Sequence, residues 1–510
     1  MCKQAIRVLS ILVGVVGLLA ARPIPIFPIP AIPIPQQQNA RPVPLFIGDP
    51  AVAQPITAPI IPQNPFMATG AWNNIHNDAY MSDTYVTGGP MGHSPEVLST
   101  FLGTVTQPGN NIVTGLVVVL TFDQQGLLIA AAVRVNREAG TAQVHLVLID
   151  PDTLATLGVL PLPEEQITVA RNFRPAGSYF YLDQLDRIII GTVERTIWVV
   201  SHTATTFSHD ETYDLRTIIP ADDSIQAVQP DWNGRLWFTT KGGLVGTLGS
   251  SGNLLGTLRL EGERVANSHA TDETGGVFIA STHAMYRFDA DSLGRPVVTW
   301  REPYDAGTHT KAGQVDIGTG TTPTLMGTEY VTITDNAEPR MHVLVYRRAK
   351  VVTGQRLVCA EPVFKPGNSS TENSLVATDK SIVVENNFGY KSEKATEFGR
   401  TTKPGITRID VDSTGCQTVW TNEDESIPTV VTKMSLANGL IYTYTKPKGP
   451  VNTDAWYLTA IDFETGMTVF KRLAGTGILY NNHYAALYLG PNGTAYVGVL
   501  GGIVAIRDTE

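Results

Sequence analysis

The stretch LTAIDFETGMTVFKRL, residues 458–473, reads as a strand that ends in Asp462, a tight turn on Thr465-Gly466, and a second strand. Apolar runs flanking a turn of this chemistry mark an antiparallel hairpin. Whether the hairpin stands alone or is one copy of a repeated unit decides the fold. Related segments occur as LVLIDPDTLATLG from residue 146, MYRFDADSLGRPVVTW from 285 and TRIDVDSTGCQTVW from 407. A second series of polar turns, each followed by an apolar strand, interleaves with them. Its members are FDQQGLLIAAAV (from 122), LDQLDRIIIGTV (182), PDWNGRLWFTT (230), TDETGGVFIAS (271), LMGTEYVTIT (325), ATDKSIVVEN (377), LANGLIYTYT (436) and GPNGTAYVGV (490). Their spacing of roughly 40 to 60 residues is the period of a four-stranded propeller blade. The hairpin is therefore a repeat, and no long amphipathic helix interrupts the series. The pattern predicts an all-β fold: an eight-bladed β-propeller of four-stranded antiparallel blades.

Ring closure is legible too. The last repeat, NGTAYVGVLGGIVAIRDTE, supplies a turn and two strands but no outer strand. Upstream of the first blade, SPEVLSTFLG (residues 94–103) has the look of the missing strand. An N-terminal strand that completes the last blade leaves no unpaired edge between first and last blades.

Composition agrees. The chain has 510 residues, 43% hydrophobic and 16% charged, enough for a large core and too apolar for disorder. The net charge of −10 and the scattered basic residues exclude a clustered nucleic-acid surface. Residues 1–21 combine Lys3 and Arg7 with a short apolar run and Ala20-Ala21, a signal peptide or an uncleaved membrane anchor. A secreted or extracytoplasmic location follows, free or membrane-attached. Residues 22–65, rich in alternating proline, read as a polyproline spacer lifting the folded part off a membrane or wall. Residues 66–510 form the propeller domain, a monomer, with residues 66–92 as an N-terminal arm. Within that arm NNIHNDAYMSDTY (73–85) either packs on the barrel's side or covers one channel mouth with His76 and Asp78 facing in. An exported context permits a Cys359–Cys416 disulfide, and two unpaired buried thiols fit the sequence as well.

RIDVDSTGCQTVW (408–420) and AIDFETGMTVF (460–470) resemble the docking motif of the quinoprotein-like eight-bladed propellers, Ala-x-Asp-x-x-Thr-Gly-x-x-x-Trp. Phe470 stands in the Trp place of the second copy, and the first carries one extra residue between Asp410 and Thr414. FDADSLGRPVVTW, ending at Trp300, is a looser relative. The resemblance implies that Asp and Thr tie the turn while the aromatic packs between blades. It carries fold, not chemistry. The chain lacks the adjacent cysteine pair common in the quinone-binding members, which argues against pyrroloquinoline quinone.

In a propeller, the loops entering the innermost strands and those joining second to third strands share one face, where ligands usually sit. There the sequence places Asn267, His269, Glu372, Asn373, Lys433, Asn481, Asn482 and His483 at channel entrances, and His283, Glu385, Asn386 and Asn387 in second-to-third loops. Two long polar loops, residues 304–323 with His309 and residues 385–405, open on the same face. A carboxylate among amide oxygens suits a hard divalent cation such as calcium, with Glu372, Asn373, Asn267 and Asn482 as ligands. His269 and His483 are the candidates for general acid and base. The bland reading of all these residues is that they satisfy backbone groups. No nucleophile elbow, His-Glu-x-x-His helix or phosphate loop is present. The functional expectation is a binding module for a small molecule, glycan or protein partner at that polar face. The alternatives are a metal-assisted lactonase, hydrolase or lyase at the channel mouth and, less favoured, a quinone-dependent dehydrogenase.

Overall fold

A computed structural model describes residues 28–106, 111–136, 139–166 and 179–509. The targeting segment expected over residues 1–21 lies outside the described residues, as do the first residues of the proline-rich stretch. No described helix is long and apolar enough to cross a membrane.

Each repeat becomes one antiparallel sheet, ordered from the axis outward as it is in sequence. Blade 1 comprises Asn111–Phe122, Leu128–Asn136, Thr141–Ile149 and Thr156–Pro161. Blades 2 to 4 run from Tyr181–Leu182 to Phe207–Asp214, from Ile225–Pro230 to Leu254–Arg259, and from Ala270–Thr271 to Pro296–Pro303. Blades 5 to 7 run from Thr324–Met326 to Leu357–Pro362, from Val376–Ala377 to Gly415–Asn422, and from Lys433–Ser435 to Thr468–Thr476. Blade 8 contains Leu487–Leu489, Ala495–Val499 and Gly502–Arg507, and Glu96–Phe101 completes it with Glu96 opposite Arg507 and Phe101 opposite Gly502. The closing strand therefore sits where the sequence places it. Blade 8 then packs on blade 1, with Gly115 donating to the Leu500 carbonyl and Leu120 to the Tyr488 hydroxyl. Apolar side chains of neighbouring blades merge into shared clusters. One joins blades 4 and 5 through Phe278, Leu325 and Ile333, and another joins 5 and 6 through Val343, Ile382 and Ile409.

The conserved rhythm of the turns has a local cause. Asp123, Asp183, Asp231 and Asp272 each accept two backbone N–H bonds inside the first-to-second turn of their blade. Such a carboxylate replaces the ladder partners that the backbone loses on reversing direction.

The docking motif works as the resemblance implies. Asp462 accepts from the backbone N and hydroxyl of Thr465 at 2.8 and 2.7 Å. Gly466 (φ +70°) lies under the Trp420 indole of blade 6, and a Cβ there would come within 2.4 Å of the ring. Trp420 Nε1 donates to the Phe463 carbonyl at 2.9 Å, while Arg408 stacks on the Phe463 ring. In the blade 6 copy the turn aspartate is Asp412, which binds Thr414; Asp410 instead pairs with Arg408. The extra residue shifts the carboxylate two positions along. Phe470 has no tryptophan-like hydrogen bond to make and stacks on Phe46, 5.7 Å between centroids.

Cys359 and Cys416 form a disulfide between the outer strands of blades 5 and 6, with Cα atoms 5.9 Å apart. The proline-rich stretch, expected to stand away as a spacer, is docked from residue 28 onward. Ile29 bridges Thr156, Gln37 donates to the Thr476 carbonyl, and Phe46–Gly48 adds a fifth, edge strand to blade 7. Proline cannot donate to a ladder, but residues between prolines can pair along an edge that needs only one side satisfied.

Candidate functional site

Antiparallel order gives the ring two faces. One carries the first-to-second and third-to-fourth turns, and the other carries the entries to the innermost strands. The arm occupies the channel from the turn face. Asn73 accepts from Leu182 N, Ala79 from Thr271 N, Tyr80 from Leu325 N, Ser82 from Ala377 N and Asp83 from Met434 N. Asn64 donates to the Pro230 carbonyl and the Trp72 indole to that of Leu489. The arm, with Asn64 just ahead of it, thus touches seven blades, and Met81, Ser82 and Asp83 are wholly buried. It does not pack on the barrel's side: it closes the channel from this mouth with His76 and Asp78 facing in, as a plug.

Its polar centre is an ion pair. Lys433, expected on a ligand face, is fully buried and donates to Asp83, to the Ile75 carbonyl at 2.6 Å and to Asn77 Oδ1 at 2.9 Å. Burial pushes the Lys433 pKa down, and Asp83 opposes that shift. His76 Nδ1 meets Asp83 at 3.0 Å, and its Nε2 lies 3.3 Å from Ser374 Oγ. A lysine at the axis needs a compensating charge once water is excluded, and the arm delivers it. Asp78 faces inward as well. It accepts from Tyr80 N and Ser82 Oγ, and desolvation raises its pKa to about 6. On the blade 4–5 side, Tyr80 donates to Glu273, which pairs with buried Arg348.

The opposite face is roofed by its two long loops. Val315 N donates to Glu372, and Asn267 Nδ2 to the Thr319 carbonyl. Asn373 Nδ2 donates to the Val430 carbonyl, and Asn482 Nδ2 to that of Ala485. Asn386 and Asn387 use their amides on the carbonyls of Asn368, Pro404 and Ile427. Asn481 accepts from Tyr390 Oη, whose oxygen also lies 2.9 Å from His483 Nδ1. These amides act as backbone surrogates that tie loops to blades. His269 is wholly buried, with no hydrogen-bond partner at either nitrogen, and burial alone lowers its pKa to about 3. A neutral ring in that position has no path to solvent-borne substrate. His283 and His309 are exposed, each with Nδ1 beside a neighbouring threonine hydroxyl. Glu385 is buried, and no well-aligned hydrogen bond reaches either oxygen. Desolvation raises its pKa to about 8, nearby Asn373 and Thr432 draw it partway back, and Asp83 pushes it up.

A concavity lies on the turn face. A cavity of about 790 Å³ sits between the arm and blades 5, 6 and 7. Residues 58–64 strap across it, Met67 and Tyr80 form its floor, and Leu325, Met326, Ala377 and Leu436 line its walls. Ile60 and Val86 at its edge are 86% and 62% exposed. Glu329, Asp379 and Asp412 outnumber Lys380 at the rim. Sequence reading missed this site because its floor is the arm, whose path no periodicity encodes. The apolar PITAPIIPQ strap (55–63), with Ile60 exposed, was the available signal.

No family model matches the chain. An uncharacterized protein of Archaeoglobus fulgidus is 28% identical over 277 residues, 49% of this chain and 53% of that protein. The chain thus spans about half the length of this curated relative. Among solved structures, BamB from Moraxella catarrhalis superposes with a TM-score of 0.37 at 13% identity, covering 67% of this chain and 97% of that one. Streptogramin B lyase gives 0.38 at 10% identity, covering 81% and 97%. The C-terminal WD40 domain of Sif2 gives 0.45 at 8% identity, covering 77% and 95%. At these identities the likeness concerns fold alone, and the fold is an eight-bladed β-propeller.

Proposed function

We propose that this propeller is a binding protein whose ligand is a small, largely apolar molecule held under the 55–63 strap on the turn face. The observation that carries the reading is the cavity of about 790 Å³. Its volume falls in the range of small-molecule sites, and its walls combine aliphatic side chains with a few polar groups, the usual pattern of such sites. Exposed Ile60 and Val86 at its edge extend the apolar surface outward. The acidic excess at the rim favours a neutral or cationic ligand over an anion. The channel-entry face offers less to a ligand, since the amides there are engaged with the loops that roof it.

The test is titration of the full chain with Nile red, a neutral apolar dye. Saturable binding near one equivalent, abolished by Val86→Arg or Ile60→Arg without a change in melting temperature, supports the reading. Absence of saturable binding, or binding indifferent to both substitutions, overturns it.

A further inference from the structure

We infer that Asp123, Asp186 and His202 form a divalent transition-metal site that clamps blade 1 to blade 2 on the turn face. Their ligand atoms all lie within 4.8 Å of one another. Asp123 comes from the first turn of blade 1, Asp186 from the corresponding turn of blade 2, and His202 from the end of blade 2's third strand.

Among the described residues, the hydrogen bonds leave the second oxygen of each carboxylate without a backbone partner, close to the His202 ring. Asp123 spends Oδ1 on Gln125 N and Leu127 N. Asp186 spends Oδ2 on Gln124 N, while its Oδ1 is buried with no hydrogen-bond partner. His202 Nε2 lies 3.1 Å from the Asp186 carbonyl, a bond that only an Nε2–H can make. Nδ1 lies 3.4 Å from the Thr203 carbonyl, a long contact that a metal would replace, and 3.9 Å from Asp123 Oδ2. The side chains of His202 and Asp123 are 6% and 4% exposed. A cation bound here would take one donor atom from each of the three residues, of which Asp123 is buried and the other two half-buried. An imidazole whose other nitrogen is fixed by a carbonyl is the usual arrangement of a metal-bound histidine. One nitrogen and two carboxylate oxygens suit zinc, whose bonds of about 2.1 Å set ligand atoms about 3.4 Å apart in a tetrahedron. The Nδ1–Oδ2 pair at 3.9 Å is near that spacing, and the full set, within 4.8 Å, would have to contract on binding.

The turn itself departs from its repeat at this residue. Gly126, Gly234 and Gly275 hold the equivalent place in blades 1, 3 and 4, all with positive φ, and Asp186 holds it at φ +64°. A side chain at this φ carries a steric cost that glycine does not.

The experiment is calorimetric titration of the metal-stripped full chain with Zn²⁺, alongside Asp186→Gly and His202→Gln. Asp186→Gly restores the repeat's own residue, so its apo melting temperature should equal or exceed that of the parent chain. The site predicts one equivalent of Zn²⁺, a rise in melting temperature on binding, loss of both in Asp186→Gly, and affinity at least tenfold weaker in His202→Gln. Failure of the parent chain to bind, or binding unchanged in Asp186→Gly, overturns the assignment. In either case the three residues are a hydrogen-bonded cluster that holds no metal.

Discussion

Glu385→Gln should change the pH dependence of stability more than any other single substitution in the channel. Glu385 is wholly buried, and desolvation raises its pKa from 4.5 to about 8. A carboxyl whose folded pKa exceeds its unfolded value binds a proton more tightly in the fold. Its contribution is therefore most favourable below pH 4.5 and is lost as pH rises toward 8. At 1.36 kcal/mol per unit, the linkage integral gives a loss of about 1 kcal/mol by pH 5, about 3 by pH 7 and about 5 by pH 9. Glutamine keeps the shape and cannot ionise. The difference in unfolding free energy between variant and parent should thus grow by about 4 kcal/mol from pH 5 to pH 9, in the variant's favour. Urea unfolding followed by tryptophan fluorescence at pH 5, 7 and 9 measures it. Parallel pH profiles for the two proteins would refute the reasoning, because they would mean that the carboxyl is solvated in the fold.

Trp420→Ala removes the indole that covers Gly466 and bonds the Phe463 carbonyl; as the ring is partly exposed, the cost should fall near about 3 kcal/mol by chemical denaturation. Lys433→Met leaves buried Asp83 without its cation, with His76 as its remaining side-chain partner, and should cost about 3 kcal/mol, while the Lys433→Met, Asp83→Asn double variant should regain part of it. Reducing the Cys359–Cys416 bond, which closes a separation of 57 residues, should lower stability by about 4 kcal/mol on the loop-entropy model; a thiol titration before and after reduction checks that the bond was present.

The ring was legible because blade formation is local. Each turn aspartate bonds N–H groups within four residues of itself, so the repeat shows in the primary structure. The closing strand was legible because blade 8 was short of one strand. What lay hidden is long-range. The arm's residues look like any polar loop until Lys433 supplies a reason for Asp83 to be inside. The proline-rich stretch carries no alternation that distinguishes a docked edge from a free spacer. The candidate asparagines were placed on the right face but serve backbone carbonyls, a use that residue type alone does not reveal. Asp186 was visible as the one aspartate where blades 1, 3 and 4 have glycine, but Asp123 joins it and His202 only through the stacking of two sheets.

The plug also constrains how the molecule can be made. Trp72 is synthesised 417 positions ahead of Leu489, whose carbonyl receives its indole proton. At about 5–20 residues per second the ribosome takes roughly 20 to 80 s to cover that distance. Throughout that interval the segment with Tyr80, Met81 and Tyr85 has no finished tunnel to enter, and its greasy side chains stand open to the surrounding solution. Completion of the last sheet and entry of the plug are therefore one late event. A chain arrested before residue 487 would carry both an open ring and an orphaned insert, a species suited to capture by holdase chaperones.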